Sequence, residues 1–391
     1  MWTRADGEPR GGERVAPRRS FVRGAVALGA GVLSGCGTSS KNDDAAPDER
    51  STPSTMRWKV QSHVGGDTAT FRAFKSFCES VGELSEGQLV FEAFPPGGVV
   101  GAVDLFDALR AGRIEAAVMN PAWPADKHPE LAFLVSYPLA LDRPDQWETW
   151  YYALGGLDLA HRMLEPLGIR FVAPIQHDLN IIHSRIPIRS FEDFRGKRLR
   201  MPGGLVADVF AAAGAKTVFT ATDQVYPALA SGAVDAADFT GPAVNYALGF
   251  ANVAKYIIMG PPATPCIHQP CDLFALLTNA ERWQALPKRL QAVVEYAARS
   301  FSWNHYAYVQ KENTLSWAKY EAKGVEILRL SDADVNKFRR IAIPEWFRWA
   351  NKSVLGREAF ASQLDFMKSR DVAYLTDDML VDETGAKLVL Q

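Results

Sequence analysis

The sequence predicts an α/β protein made of two lobes with a cleft between them. Three observations carry that expectation. Strand and helix patterns alternate from about residue 57 to 119 and again from 168 to 239. A helix–glycine–strand unit is written twice, as ALRAGRIEAAVMNP (Ala108 to Pro121) and ALASGAVDAADFTGP (Ala228 to Pro242). Long helical patterns follow from Ala280 onward. Alternation of this kind implies parallel strand pairing. Ligands of open α/β sheets sit beyond the carboxyl ends of the strands.

Each element has a local reason. Arg57 to Val64 alternates and ends in Gly65-Gly66, a strand entering a loop. Thr68 to Val81 spaces Phe71, Phe74, Phe77, Cys78 and Val81 as one helical face. Gln88 to Phe94 is a strand stopped by Pro95-Pro96-Gly97-Gly98. Val103 to Ala111 is a helix closed by Gly112, and Ile114 to Met119 a buried strand. In the second lobe, strands are expected at 168–174, 180–183, 198–201, 216–219 and 234–239. Helical segments lie at 190–194, 205–213 and 223–230. Leu286 to Trp303 and Tyr306 to Lys323 read as successive amphipathic helices. Trp346, Phe347 and Trp349 follow Pro344 as an aromatic group that either packs over the lobes or forms a dimerisation surface.

Composition narrows the class. The 391 residues are 47% hydrophobic and 23% charged, with a net charge of −2, so there is no electrostatic footprint for nucleic acid. The body of the chain has no apolar run of membrane-spanning length. Its start is different material. PRRSFVRG (Pro17 to Gly24) is a twin-arginine pattern, AVALGAGVL follows, and Leu33-Ser34-Gly35-Cys36 fits a lipoprotein cleavage box. Residues 1–36 are thus expected to be a signal peptide ending at a lipidated Cys36, and 37–55 a disordered polar tether. The expected arrangement is a lipid-anchored extracytoplasmic protein. Its first lobe spans 56–179 with part of 270–330, its second lobe 180–270, and a helical region 280–391 packs over both.

Three more cysteines follow Cys36. Cys78 belongs to a buried helix face, while Cys266 and Cys271 stand in PCIHQPC. An oxidising compartment permits a disulfide there, but the spacing alone does not establish its geometry. Cys266 with His268 also admits a thiol nucleophile and its base, and Cys271 would extend the set toward a zinc site. A surface scaffold is the other rival. GxSxG, P-loop and GxGxxG patterns in suitable context are absent.

Several stretches resemble one family. LSEG before QLVFEAF, then PPGGVV and DLFDALRAGRIEAA, resemble the substrate-binding proteins of tripartite ATP-independent periplasmic (TRAP) transporters. FEDFRGKRLRMPGG (Phe191 to Gly204) is similar to that family's signature. SGAVDAADFTGPAVNYALGF (Ser231 to Phe250) and TPCIHQPC (Thr264 to Cys271) are similar to segments of its branch for 2-oxo acids and related small carboxylates. The resemblance covers roughly residues 57 to 325. It implies a type II periplasmic-binding-protein fold, no enzymatic activity, a small organic carboxylate as ligand and a TRAP membrane permease as partner. It also implies a homodimer built through the C-terminal helices.

Candidate site residues follow from both lines. Arg200 falls where the family's arginine grips the ligand carboxylate, and a guanidinium offers paired planar donors for that task. Arg198 shares its strand face, so register alone does not choose between them. In the resembling branch a carboxylate at Asp238, the main chain of Phe239 and the side chain at Gln269 hold a bridging Na⁺ or Ca²⁺. Such hard cations prefer oxygen ligands. The branch has tryptophan where this chain has Phe239 and glutamate where it has Gln269, which removes one negative charge. Trp123, His63 and Asn180 complete the expected pocket wall.

Overall fold

The computed structural model describes residues 55–370 and 372–391. The twin-arginine leader, the lipidation at Cys36 and the tether as far as residue 54 lie outside the described residues. The strands in chain order are β1 (Met56–Ser62), β2 (Leu89–Phe94), β3 (Ala116–Met119), β4 (Ile169–Gln176), β5 (Ile182–Ser184) and β6 (Arg198–Met201). They continue as β7 (Lys216–Phe219), β8 (Ala236–Asp238), β9 (Tyr256–Met259), β10 (Leu273–Asn279) and β11 (Glu326–Arg329). Among the described residues they form a five-stranded sheet, β2-β1-β3-β10-β4, and a six-stranded sheet, β11-β9-β5-β8-β6-β7. Each sheet is the centre of one lobe of a two-lobed α/β fold of the type II periplasmic-binding-protein class.

Alternation of strand and helix produces the parallel pairs. Helix α1 (Ala69–Leu84) connects β1 to β2, which pair in parallel. Its start is capped by Thr68, whose hydroxyl accepts from Phe71 N. A cap of this kind contributes about 1 kcal/mol. The helix buries Phe74, Phe77, Cys78 and Val81, which is the expected apolar face.

The repeated unit is structural. Helix α2 (Leu105–Arg110) turns through Gly112, at φ 67°, into β3. Later, α3 (Gly204–Ala212) lies between β6 and β7, and α4 (Val225–Ser231) turns through Gly232, at φ 77°, into β8. Both glycines sit in the left-handed region that favours this residue. Beyond them, matching carboxylates do matching work. Glu115 accepts from Lys59 N at 2.8 Å, and Asp235 accepts from Arg198 N at 2.9 Å. Both β3 and β8 have one parallel and one antiparallel neighbour.

The chain crosses between lobes after β4 and returns before β10. These two crossings are bonded to each other: His177 N to Asp272 O at 3.1 Å, Asp272 N to Asp178 O at 2.6 Å and Asn180 N to Gln269 O at 3.1 Å. Helix α5 (Lys288–Ala322) runs along both. It packs on α1 in the first lobe through Phe301 on Phe77 (4.8 Å) and holds Asp178 through Asn313 (2.7 Å) and Gln310 (3.1 Å).

Several expectations change. The two helices expected at 286–303 and 306–323 are the single 35-residue α5, because no Gly or Pro interrupts 288–322. Pro344 and the aromatic group that follows it lie inside α6 (Asp332–Ala350). The region expected to be helical from 280 onward also supplies β11, which pairs with β9 in the second sheet. Trp346, Phe347 and Trp349 are buried within the chain, Trp346 against Tyr137 and Phe347 against Phe360 of α7 (Val354–Lys368). Those three therefore present no outward surface. Strands β9 and β10 and the helices Pro144–Ala153 and Gly156–Leu164 had no counterpart in the sequence reading.

Candidate functional site

Between the two sheets, beyond the ends of β1, β3, β6 and β8, lies a cavity of about 40 Å³. His63, Trp123, Asn180, Arg200, Asp238, Phe239 and Gln269, all seven residues expected from separate stretches of sequence, line it together. Asn120, Thr222, Thr240, Asp272 and Phe274 are further lining residues that the sequence reading missed. The volume holds about three water molecules, so this is a closed arrangement. A pocket of about 230 Å³ adjoins it and shares Trp123, Arg200 and Thr222. A larger groove of about 470 Å³, between α1 and α5, contains none of these seven residues.

Strand β6 separates the two arginines of its face. Arg198, at the exposed start, bonds Asp235 at 2.6 Å. Arg200 is buried, and it is the one arginine or lysine lining the cavity. Its Nε and Nη2 donate to Thr220 O at 3.3 and 3.2 Å. Nη1 donates to Asp238 O at 2.7 Å and to Asp238 Oδ2 at 3.3 Å. Burial draws its pKa down, and the carboxyl groups of Asp238 and Asp272 oppose that. Of five N–H donors, one on Nη2 is therefore uncommitted, and a two-pronged grip on a carboxylate needs Thr220 or Asp238 to release another. Phe239 lies flat against Phe250 (5.2 Å) and under the guanidinium (5.6 Å), an apolar wall beside the charge.

Asp238 has a second cation. His268 Nε2 sits 2.8 Å from Asp238 Oδ1, and His268 Nδ1 lies 3.4 Å from Cys266 Sγ. Burial opposes charging this ring, but Cys266 and the Asp238 carboxylate outweigh it and raise the pKa to about 10. The sequence reading considered His268 only as part of a thiol or zinc site. Cys266 does stand in line with a base and an orienting acid, yet Cys266 is buried and is not among the cavity-lining residues. A ligand in the cavity therefore meets Arg200 and Asp238, not this sulfur. Cys271 Sγ faces Gln176 Oε1 at 3.5 Å, away from that group, and both cysteines are free thiols.

Gln269 stands in a chain of side chains. Its Nε2 donates to Asp272 Oδ1 (3.2 Å), and its Oε1 accepts from Asn180 Nδ2 (3.0 Å). Asp272 is buried, and burial together with Asp238 raises its pKa to about 8. The side-chain oxygens expected to hold a cation, on Asp238 and Gln269, are thus engaged by His268, Arg200 and Asn180. Among the described residues no group of three or more His, Cys, Asp or Glu is placed to hold a metal ion. A cation at the expected ligand set would have to displace Arg200, His268 or Asn180 from these oxygens.

A two-lobed fold with a buried arginine facing a closed interlobe cavity defines a solute-binding protein. Residues 61–353 match the family model described as bacterial extracellular solute-binding protein, family 7, and the chain belongs to that family. It is 27% identical over 243 residues to the monocarboxylate 2-oxoacid-binding periplasmic protein of Nostoc sp., an alignment covering 62% of this chain and 65% of that one. This chain thus spans just under two thirds of that relative's length. It is 27% identical to an open, ligand-free TRAP periplasmic solute-binding protein from Rhodobacter sphaeroides, with a TM-score of 0.62 over 81% of this chain and 99% of that one. The fold is also that of a TRAP solute-binding protein from Colwellia psychrerythraea with bound calcium and pyruvate. That likeness has a TM-score of 0.73 and 21% identity over 82% of this chain and 99% of that one. No helix among the described residues is long and apolar enough to cross a membrane.

Proposed function

We propose that this protein captures a small organic carboxylate between its lobes and delivers it, unaltered, to the membrane permease of a TRAP transporter. The observation that supports this reading best is the convergence of seven residues from both lobes on one cavity whose single permanent cation is Arg200. In this reading the lobes part by a hinge at the paired crossings, the acid enters, and its carboxylate displaces Thr220 or Asp238 from the guanidinium. Phe239 and Trp123 then cover its apolar part. The Nostoc relative's named ligands, monocarboxylate 2-oxo acids, support a small acid as the cargo class. A lipid on Cys36 after twin-arginine export would keep the protein at the membrane surface beside its permease. The exposed Tyr296 and Trp303 of α5, seven residues apart and so on one side of the helix, would be the face on which two copies pair.

The test is calorimetry of the purified protein against a panel of carboxylic acids. Wild type is expected to bind at least one, and Arg200→Ala to bind none while keeping its far-ultraviolet dichroism and a cooperative melt. Undiminished affinity in folded Arg200→Ala would remove the arginine from the reading. Conversion of any acid to product would replace the reading altogether.

A further inference from the structure

The hydrogen-bond polarity of the cavity wall points to a narrower class of ligand. It is set by the backbone, one step at a time. Leu273 N donates to Asp272 Oδ1 at 2.9 Å, so that oxygen is an acceptor when the carboxyl is ionised or carries its proton on Oδ2. Gln269 must then turn its amide nitrogen toward Asp272, which leaves Oε1 facing Asn180. Asn180 must in turn present Nδ2 to Gln269. Its Oδ1 is thereby left an acceptor, buried, on a residue lining the cavity and with no partner among the described residues. An amide orientation is normally ambiguous. Here a main-chain N–H three links away decides it.

A second wall residue has the same polarity by a separate route. His63 Nδ1 lies 2.9 Å from Val118 O, which can only accept, so Nδ1 carries the hydrogen. Burial keeps this ring neutral down to about pH 4. Its Nε2 is therefore a lone pair. The ring is wedged edge-on between Trp123 (5.2 Å) and Phe274 (4.1 Å), which holds it in place.

One side of the cavity thus offers the donors of Arg200, and its wall also carries two acceptors without a donor, Asn180 Oδ1 and His63 Nε2, beside the amide nitrogen of Asn120, whose Oδ1 is taken by Ala122 N. Resting on the carboxylate reading above, we infer that the bound acid has a hydrogen-bond donor on the carbon next to its carboxylate, met by Asn180 Oδ1 and His63 Nε2. The ligand is then a 2-hydroxy or 2-amino acid in preference to a 2-oxo acid. A 2-oxo group carries no hydrogen and would leave Asn180 Oδ1 and His63 Nε2 without a donor. Buried acceptors left without donors carry a penalty large enough to separate two ligands by tenfold or more.

The experiment is calorimetry on the full chain with matched acids in a potassium buffer containing a chelator: pyruvate, lactate and alanine, then 2-oxoglutarate, 2-hydroxyglutarate and glutamate, then phenylpyruvate, phenyllactate and phenylalanine. In at least one series the hydroxy or amino acid is expected to bind about tenfold or more tightly than its 2-oxo partner, and which of the two wins identifies the donor. In Asn180→Ala the ratio should fall toward one, with binding retained through Arg200. The wild-type ratio stands as evidence even where that variant fails to fold. Equal or tighter binding of the 2-oxo acid overturns the inference. So does a 2-oxo acid that Na⁺ or Ca²⁺ lifts to the affinity of its hydroxy partner, because a cation would then occupy the acceptors. Binding of no acid at all would instead bring down the carboxylate reading, a different and recognisable result.

Discussion

Arg198 and Arg200 are two positions apart on one strand, and strand register alone left the choice between them open, while the family resemblance pointed to Arg200. The structure separates them by partner: Asp235 takes Arg198 at the exposed end, while Arg200 reaches the cavity. That difference lay in tertiary placement, invisible to period-two reasoning. Gln269 was legible as a departure from a family pattern, but its bond to Asn180 was not, because Asn180 arrives from the other crossing, 89 residues earlier. Gln269→Glu would remove the donor to Asp272 and set two carboxyl groups side by side. Such a pair favours a cation between them, so acid binding by this variant should become dependent on Na⁺ or Ca²⁺. A titration with and without chelator measures it, and unchanged affinity in both conditions would count against the argument. Elsewhere, His183 packs between Phe250 (5.1 Å) and Tyr320 (5.6 Å) with neither ring nitrogen bonded among the described residues. Replacing an unsatisfied buried polar group by an apolar one of similar size is neutral or favourable. His183→Leu should therefore leave chemical-denaturation stability unchanged or raise it by about 1 kcal/mol.

At the scale of elements, the repeated helix–glycine–strand unit was readable because both its causes are local. A glycine in the left-handed region ends each helix, and a short apolar run follows. Strand β10 was missed for the opposite reason. LFALLTN is a continuous buried run, and its place between β3 and β4 depends on partners about 100 to 160 residues earlier in the chain. Strand β11 shows the same limit: half-exposed and short, it forms because β9 offers it an edge. The paired crossings form a composite element, and Gly241 packs against it. A Cβ there would fall 1.7 Å from Asp178 Oδ2, a carboxylate already held by Asn313, Gln310 and Leu179 N. Gly241→Ala should thus cost about 1–3 kcal/mol, as overpacking of a fixed group does. A denaturant melt with unchanged midpoint would show that Asp178 can move aside freely.

Across the whole molecule, buried histidines set the response to pH. Burial lowers His63 and His305 to about 4 and His183 to about 3, and His177 is lowered well below its ordinary value, again mainly by burial. These rings stay neutral in the fold but take up protons near pH 6.5 when the chain unfolds. Stability is therefore lost as pH falls below about 6.5, by up to about 1.4 kcal/mol per pH unit for each ring. Asp178, raised by burial to about 6, works in the opposite direction: its favourable contribution is present at low pH and lost as pH rises through 6. Asp272, raised to about 8, works in the same direction as Asp178; four rings outweigh two carboxyls, so the melting temperature should drop between pH 6.5 and 4.5. A flat profile over that interval would mean that these rings are reached by solvent. The placement of β10 has one more consequence, for the order in which the protein can be made. Every strand of the second sheet except β11 is synthesised before β10, and the first sheet lacks its inner strand until residue 279 has emerged. Vectorial synthesis usually lets the amino-terminal part of a chain fold first. Here the lobe that begins first waits for its inner strand until five strands of the second sheet, β5 to β9, have been made, with β3 and β4 exposing open edges until the strand that joins them arrives.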